Sequence, residues 1–267
     1  MGIELPKINN LFSLEGKSAL VTGGAGSLGS MAARALAGAG AEVMLADECG
    51  DQTRLNTVVK EIRDAGGKAN AVHVRADSDE HVATIMKEIV DKQGGVDILM
   101  VASGWNKPGN SQQVTVQDFD AVMEANVRST FLIGQAVGKR MIEQGRGGKI
   151  VLTSSVRGMV ATNNSIGYCT SKAATDMLTK CFSAEFAPHG IKVNAIAPTI
   201  FRSPLTAWLF EEQGRGAEAR KSVVARIPMG RLGEPSDFAG SIVFLAAPAS
   251  DFITGHVMYV DGGFVTV

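Results

Sequence analysis

The stretch TGGAGSLGS, Thr22 to Ser30, decides the fold class of this 267-residue chain. The apolar run SALV leads into it, and a glycine-rich turn between a strand and a helix lets backbone N–H groups meet a pyrophosphate. Two frames fit, a literal G-x-G-x-x-G at Gly24, Gly26 and Gly29 and a frame that begins at Gly23. Because the strand runs directly into Gly23, we take Gly23 as the first turn glycine and expect Gly29 to open the helix.

Short apolar runs recur beyond this turn and predict parallel strands that are covered on both faces. These runs are SALVTGG, AEVMLAD, VDILMVASG, KIVLTSS, IKVNAIAP and HVMYVDGG. Apolar residues at helical spacing lie between them, at Leu55, Val58, Val59 and Ile62 and again at Val82, Ile85, Met86, Ile89 and Val90. The alternation predicts an α/β fold with a doubly wound Rossmann sheet, mostly parallel and flanked by helices.

Two segments depart from this rhythm. Residues 1–13 carry charges and have no long apolar core, so we expect an N-terminal surface arm rather than a signal peptide or a membrane span. Residues 203–233 are charged and helix-like, and we expect them to form a small helical lid over the substrate. No linker separates the remaining elements, so residues 1–267 are interpreted as a single NAD-binding Rossmann domain.

The composition indicates which class of partner the protein binds and in which compartment it is found. With 45% hydrophobic residues, 20% charged residues and a net charge of -1, the chain is neither disordered nor polycationic, and we expect a small-molecule substrate rather than nucleic acid or a membrane. The three cysteines form no CxxC pair and leave one unpaired, which is typical of a reducing, cytoplasmic location. The four histidines lie far apart without ligand spacing, so we expect no metal site.

Asp47 ends the second apolar run, eighteen residues beyond Gly29. A carboxylate at this strand end can accept hydrogen bonds from the adenosine ribose diol, and it would repel a 2'-phosphate. Neither the glycine turn nor the positions directly after Asp47 contain Arg or Lys, so the sequence predicts NAD rather than NADP. The alternative is that Asp47 only starts a turn or caps the next helix.

Four polar residues accompany this turn. Tyr168 precedes Lys172 by four residues in YCTSK, and residues at that spacing share one face of a helix. Ser155 closes the run KIVLTSS, and Asn126 lies in the helical segment EANVRSTF. Together they match the Asn, Ser, Tyr and Lys tetrad of the short-chain dehydrogenase/reductase family, which the sequence resembles from Gly16 to Gly263. The resemblance implies an NAD-dependent oxidoreductase that acts on CH–OH groups.

The chemistry of alcohol oxidation explains these residue types. A free tyrosine, with a pKa of about 10, is a poor base at neutral pH, and a nearby ammonium stabilises its phenolate. The resemblance implies that Tyr168 is the general base or acid and that Lys172 lowers its pKa and holds the nicotinamide ribose. It also implies that Ser155 orients the substrate oxygen and that Asn126 anchors a water that relays the proton.

The resemblance extends to a set of cofactor contacts. The positions that it implies are Gly23, Ser27, Leu28, Gly29, Asp47, Asp77, Ala102, Gly104, Tyr168, Lys172, Pro198, Phe201 and Ser203. Ser27 departs from the family pattern, which has glycine there, so either the loop shifts or the hydroxyl donates to a phosphate. The run VASG at 101–104 replaces N-N-A-G, which leaves only backbone contacts. Asp77 resembles an adenine-contacting aspartate, with helix capping as the alternative.

Substrate contacts are expected after the strand ends and in the lid. The candidates are Trp105, Lys107, Arg157, Asn163, Arg202 and Trp208. Three cations near one rim suggest an anionic or strongly hydroxylated substrate. In the alternative reading, the cations are solvated or brace a subunit contact, and the tryptophans belong to the core of the lid. The runs SSVRG and APTIFRSPLTAW resemble gluconate 5-dehydrogenase-like members, which favours a sugar acid, a sugar or a polyol.

Other functions fit the same residues. A dehydrogenase of cyclic or aromatic alcohols is favoured if the cations turn outward, and a 3-oxoacyl-thioester reductase uses the same tetrad but usually pairs with NADP. A regulatory protein that only senses NAD is disfavoured by the intact tetrad, although Ser27 and VASG are departures that such a protein would have. The resemblance also implies a homotetramer.

Overall fold

The computed structural model of the protein describes residues 7–48, 52–202, 206–211 and 213–267. Within these residues, seven strands form one sheet in the order β3-β2-β1-β4-β5-β6-β7, and every neighbouring pair is parallel. The strands are β1 (Ser18–Thr22), β2 (Glu42–Ala46), β3 (Lys68–Val72), β4 (Ile98–Val101), β5 (Gly148–Thr153), β6 (Ile191–Pro198) and β7 (Val257–Val260). The predicted doubly wound Rossmann fold is confirmed, with a fully parallel sheet.

Helices connect these strands and cover both faces of the sheet. Their bounds are α1 (Ile8–Phe12), α2 (Ser27–Gly38), α3 (Thr53–Asp64), α4 (Asp79–Gln93), α5 (Val116–Met123), α6 (Ser129–Gln144), α7 (Ile166–Phe186), α8 (Gly214–Val224) and α9 (Pro235–Ala246). A π-helical turn, Glu124–Arg128, joins α5 to α6. No described helix is both long and apolar enough to cross a membrane.

Two apolar layers lie between the helices and the sheet. One contains Leu36 of α2, Leu55 of α3 and Phe238 of α9, and the other contains side chains of α4, α6 and α7 such as Ile85 and Ile133. Because both layers bury strand residues, the strands are apolar on both faces, which is why they stand out in the sequence as continuous apolar runs.

One strand was not predicted. β3 has the sequence KANAV, in which Lys68 is exposed and Asn70 only half-buried, so it has no continuous apolar run. It lies at the edge of the sheet and pairs with β2 alone, so that fewer of its side chains are buried. Its short polar sequence therefore gave no strand pattern.

The two segments outside the strand and helix rhythm are partly described. In the arm, α1 packs the ring of Phe12 6.5 Å from that of Phe244. In the segment predicted as a lid, a 3₁₀ turn at Ala207–Phe210 and helix α8 surround a third apolar cluster. This cluster contains Val156, Leu209, Ile227, Leu232 and Phe264, so it joins the lid to the loop after β5 and to the C-terminal residues.

Candidate active site

The site lies in the crevice at the carboxyl ends of β1, β4 and β5. Strand order reverses at β1, which pairs with β2 on one side and with β4 on the other. In open parallel sheets this switch point leaves a crevice in which ligands bind. The glycine turn follows β1, and the run VASG follows β4, so both border this crevice.

The glycine turn is shaped by close backbone contacts. Gly23 has φ +70°, and a Cβ there would lie 2.5 Å from the backbone nitrogen of Ser103. A Cβ on Gly29 would overlap the carbonyl oxygen of Gly23. A side chain fits at neither position, which supports the frame that starts at Gly23.

Helix α2 begins two residues earlier than predicted. Its first residue is Ser27, and its N-cap is Gly26, whose backbone N–H donates to the carbonyl of Gly23 at 3.0 Å. The free N–H groups of the first turn therefore lie at residues 27–29, where an anion is stabilised by them and by the helix dipole. Leu28 packs against the core.

Asp47 and Arg54 bind the backbone N–H and the backbone carbonyl of Ala25 in this turn. The Asp47 carboxylate accepts a hydrogen bond from the Ala25 N–H at 3.0 Å, and Arg54 donates to the Ala25 carbonyl at 3.2 Å. Asp47 is half-buried, and Arg54 is exposed at the first turn of α3. Arg54 was not predicted because it lies seven residues beyond Asp47, yet the start of α3 places this cation beside the turn.

Asp77 has partners outside the glycine turn. Its carboxylate contacts His81 Nδ1 at 2.6 Å, and its backbone carbonyl accepts from Arg128 at 2.9 Å. The N-cap of α4 is Ser78, whose hydroxyl accepts from the His81 N–H. Ser78, and not Asp77, therefore caps α4.

Asn126 fixes the loop that follows β4. Its Oδ1 accepts from the Trp105 N–H at 2.7 Å, and its Nδ2 donates to the Trp105 carbonyl at 2.8 Å and to Ser171 Oγ at 2.9 Å. Asn126 lies in the π-helical turn, a distortion often found at functional sites. A Cβ on Gly104 would lie 3.3 Å from Asn126 Oδ1 and 3.5 Å from Lys172 Nζ, so this loop borders both residues.

Ser155 and Tyr168 face each other across the crevice. Ser155 follows β5 and caps a 3₁₀ turn by accepting the Arg157 N–H at 3.1 Å, and its hydroxyl is hydrogen-bonded to Tyr168. Burial raises the pKa of Tyr168, while the hydrogen bond from Ser155 and the charge of Arg157 lower it. The phenol therefore needs a stabilising cation to act as a base near neutral pH.

Lys172 places a cation on the same face of α7 as Tyr168. Its Nζ lies 5.6 Å from the centroid of the Tyr168 ring and donates to the Thr153 carbonyl at 2.7 Å. Burial lowers the pKa of Lys172 to about 8, and the charge of Asp176 opposes this change. Asp176, one turn further along α7, was not predicted. Its i+4 spacing from Lys172 was the available signal.

The predicted nicotinamide-contacting stretch follows β6, whose last residue is Pro198. Phe201 is buried, its ring centroid lies 5.8 Å from that of Phe238, and its carbonyl accepts from the Thr206 hydroxyl at 2.6 Å. Ser203 lies outside the described residues. The stretch is held by a bridge between Phe201 and Gly233.

The predicted substrate residues divide into two groups. Trp105, Lys107 and Asn163 are exposed beside the crevice, and a bridge between Gly109 and Ser165 joins their two segments. Arg157 lies close enough to Tyr168 for its charge to affect the pKa of the phenol.

Arg202 and Trp208 have other partners in and next to the lid segment. Arg202 pairs with Glu234 at 3.1 Å, and its guanidinium lies 3.7 Å from the centroid of the Phe210 ring. Trp208 is 43% exposed, with Arg215 6.0 Å from its ring centroid. The structure therefore brings Arg157, and not Arg202, toward the tetrad.

Known proteins are similar to this chain in sequence. A family model described as Enoyl-(Acyl carrier protein) reductase matches residues 23–265. An uncharacterized oxidoreductase of Mycobacterium tuberculosis is 46% identical over 95% of this chain and 93% of its own. A 3-oxoacyl-[acyl-carrier-protein] reductase of Thermotoga maritima is 34% identical (94% and 99% covered), and a 5-keto-D-gluconate 5-reductase of Escherichia coli is 31% identical (97% and 99% covered).

Solved structures agree with the fold. A short-chain type dehydrogenase/reductase from Mycobacterium marinum has a TM-score of 0.89 at 32% identity, over 98% of this chain and 100% of its own. A gluconate 5-dehydrogenase from Burkholderia cenocepacia, solved with NADP and tartrate, has a TM-score of 0.89 at 31% identity over 97% and 99%. The predicted resemblance to gluconate 5-dehydrogenase-like proteins is confirmed. The chain therefore belongs to the short-chain dehydrogenase/reductase family of oxidoreductases, whose fold binds a nicotinamide cofactor.

Proposed function

We propose that this protein transfers hydride between NAD and a secondary alcohol or ketone of a sugar acid, a sugar or a polyol. The observation that carries the proposal is the meeting of Ser155, Tyr168 and Lys172 in one crevice, with Asn126 fixing the adjacent loop. These residues come from the loop after β5, from α7 and from the π-helical turn, so only the fold brings them together.

In the oxidation direction, Tyr168 takes the proton of the substrate hydroxyl as hydride leaves the carbon. Ser155 donates a hydrogen bond that orients the substrate oxygen, and Lys172 stabilises the phenolate that must be present before the proton is taken. In the reduction direction, Tyr168 returns the proton to the carbonyl oxygen. The nicotinamide, when bound, supplies or accepts the hydride.

The crevice fits a dinucleotide. Close backbone contacts leave no space for side chains at Gly23 and Gly29, and the first turn of α2 offers free N–H groups to phosphates. The proposed contacts are those that the family resemblance implies: Gly23, Ser27, Leu28, Gly29, Asp47, Asp77, Ala102, Gly104, Tyr168, Lys172, Pro198, Phe201 and Ser203.

The choice of NAD rests on Asp47. Its half-buried carboxylate at the end of β2 would repel a 2'-phosphate. Two observations favour NADP instead. The guanidinium of Arg54 reaches the same turn, and the related Burkholderia cenocepacia enzyme was solved with NADP. NAD is proposed because the carboxylate already binds the Ala25 N–H and so is fixed at the ribose end.

A reductase of 3-oxoacyl thioesters is the second candidate, favoured by the 34% identity to the Thermotoga maritima protein of that name. The deciding experiment follows absorbance at the NADH band with sugar acids, polyols, cyclic alcohols and acyl thioesters, each with NAD and with NADP. Turnover of sugar acids or polyols with NAD is expected. Turnover of acyl thioesters alone would overturn the proposal in favour of the second candidate.

We also propose a cytoplasmic homotetramer. The long helices α6 and α7 leave Phe131 and Met177 exposed, which supports helix packing between subunits. Light scattering after size-exclusion chromatography tests this assembly. A monomeric mass at micromolar concentration would contradict it.

A further inference from the structure

Two arginines from distant parts of the chain meet at one aromatic ring. The Cζ atoms of Arg226 and Arg157 lie 4.6 Å and 5.4 Å from the centroid of the Phe264 ring. Phe264 is buried in the apolar cluster that also contains Val156 and Ile227, the neighbours of the two arginines in the sequence. The ring is therefore a fixed support that holds both guanidiniums by cation–π contacts.

Neither guanidinium is neutralised by a carboxylate in the part of the chain that the structure describes. Arg157 donates to the Ala161 carbonyl at 3.4 Å, and no hydrogen bond or ion pair of the Arg226 side chain occurs among the described residues. By contrast, Arg231 contacts Asp237, and Arg202 contacts Glu234. The pKa of Arg157 is lowered, first by burial and also by the charge of Arg226, so the two cations repel each other.

The position of this pair relates it to the reaction. Arg157 lies two residues beyond Ser155, and its backbone N–H donates to the Ser155 hydroxyl oxygen. Its charge also acts on Tyr168. An anion between the two guanidiniums would therefore lie next to the place where a substrate oxygen meets Ser155 and Tyr168.

We propose that Arg157 and Arg226, supported by Phe264, form a subsite that binds the carboxylate of the substrate and so selects sugar acids over neutral polyols and sugars. This inference rests on the proposed function. Guanidinium groups match a carboxylate through paired N–H donors, and the carboxylate relieves the repulsion between the two cations. Arg202 and Lys107 take no part in this subsite, because Arg202 is already paired with Glu234 and Lys107 lies exposed in the loop after β4.

The test compares charged and neutral substrates of equal length. The kcat/KM of wild type, Arg226→Gln and Arg226→Lys is measured with gluconate and with its neutral counterpart sorbitol, using NAD and NADP. Arg226→Gln is expected to lower kcat/KM for gluconate by about tenfold or more while changing that for sorbitol less than about twofold. Arg226→Lys keeps the charge and is expected to retain part of the preference.

A matched control removes a charge from the same lid. Lys221 is exposed on α8, five residues before Arg226, and Lys221→Gln is expected to leave the ratio of the two kcat/KM values unchanged. Arg226 is itself exposed, so its variants should fold, which circular dichroism verifies. An equal change for both substrates in Arg226→Gln, or no change in either, would overturn the carboxylate subsite while leaving the proposed function intact.

Failure of the proposed function has a different signature. If the wild type turns over neither gluconate nor sorbitol, the proposed sugar-derived substrate is wrong, and calorimetric titration with gluconate then decides the subsite. Binding that Arg226→Gln weakens and Lys221→Gln does not would support the carboxylate subsite on its own. No binding of gluconate to the wild type would overturn it.

Discussion

The ammonium of Lys172 lies 5.6 Å from the centre of the Tyr168 ring, one helical turn away on α7. Lys172 is only 3% exposed, and its Nζ is held by the Thr153 carbonyl at 2.7 Å. Burial acts in opposite directions on the two groups, lowering the pKa of Lys172 to about 8 and raising that of Tyr168. In the proposed mechanism, the pair supports proton transfer only while the lysine stays charged.

Replacement of Tyr168 by Phe tests the proposed base directly. Because Tyr168 is the proposed acceptor of the hydroxyl proton, Tyr168→Phe is expected to lower kcat by at least about 100-fold. Affinity for NAD, measured by fluorescence titration, is expected to stay within about fivefold of wild type, since loss of one hydrogen bond to the cofactor costs about 1 kcal/mol. Tyr259→Phe changes the other tyrosine of the chain and serves as the control. Substantial turnover by Tyr168→Phe would exclude Tyr168 as the base.

The lowered pKa of Lys172 predicts how stability depends on pH. The folded protein binds this proton more weakly than the unfolded chain, so between about pH 8 and pH 10.5 the unfolded chain holds more protons. The cost of burying the charge is present in full below pH 8 and disappears as the pH rises to 10.5. Lys172→Met lacks this cost. The difference between its free energy of unfolding and that of wild type should therefore shift in favour of wild type as the pH rises, by on the order of 3 kcal/mol.

Urea unfolding of wild type and Lys172→Met from pH 7 to pH 10.5 measures this difference. Lys139→Met, which removes an exposed lysine from α6, is the matched control and should keep a constant difference from wild type. A constant difference for Lys172→Met would mean that the buried ammonium is not destabilised in the folded protein.

The contacts of Asp47 and Arg54 with the backbone of Ala25 predict how cofactor choice can be changed. Asp47→Ala removes the carboxylate that repels a 2'-phosphate and leaves the Arg54 cation, so the ratio of kcat/KM for NADP to that for NAD should rise about tenfold or more. Adding Arg54→Ala should reverse much of this rise. Lys60→Ala, an exposed cation further along α3, is the control. A ratio that Asp47→Ala leaves unchanged would remove Asp47 from cofactor selection.

The parts of the site that follow from local sequence could be predicted. Tyr168 and Lys172 lie on one helix, and Asp47 directly follows a strand, so their mutual positions depend only on helix periodicity and on strand ends. The strand β3 escaped prediction because Lys68 and Asn70 interrupt its apolar character at the sheet edge. Local patterns therefore predicted the apolar strands, including the other edge strand β7, and missed the polar one.

The contacts that depend on the lid could not be predicted. Arg226 meets Phe264 and Arg157 only because the third apolar cluster packs the lid against the loop after β5. Arg202 lies next to the predicted nicotinamide stretch in the sequence, yet Glu234 and Phe210 hold its guanidinium. Neither contact produces a recognisable pattern in the sequence, because tertiary packing brings the two segments together.

Ser27, where the family pattern has glycine, gives the last prediction. Ser27 is the first residue of α2, and its carbonyl accepts from Ser30 Oγ at 3.1 Å, while Gly26 makes the turn before the helix. The N–H groups of this turn do not depend on the side chain, so Ser27→Gly should keep the preference for NAD and change its Kd by no more than about fivefold.

Calorimetric titration with NAD and NADP measures both quantities. Ser27→Ala keeps the Cβ but removes the hydroxyl, so it separates a lost hydrogen bond from the added flexibility of glycine. Equal effects of the two variants would assign the whole change to the hydroxyl. A switch to NADP in Ser27→Gly, or loss of its folded state, would mean that the side chain shapes the turn, because only then could its removal move the N–H groups that bind the phosphates.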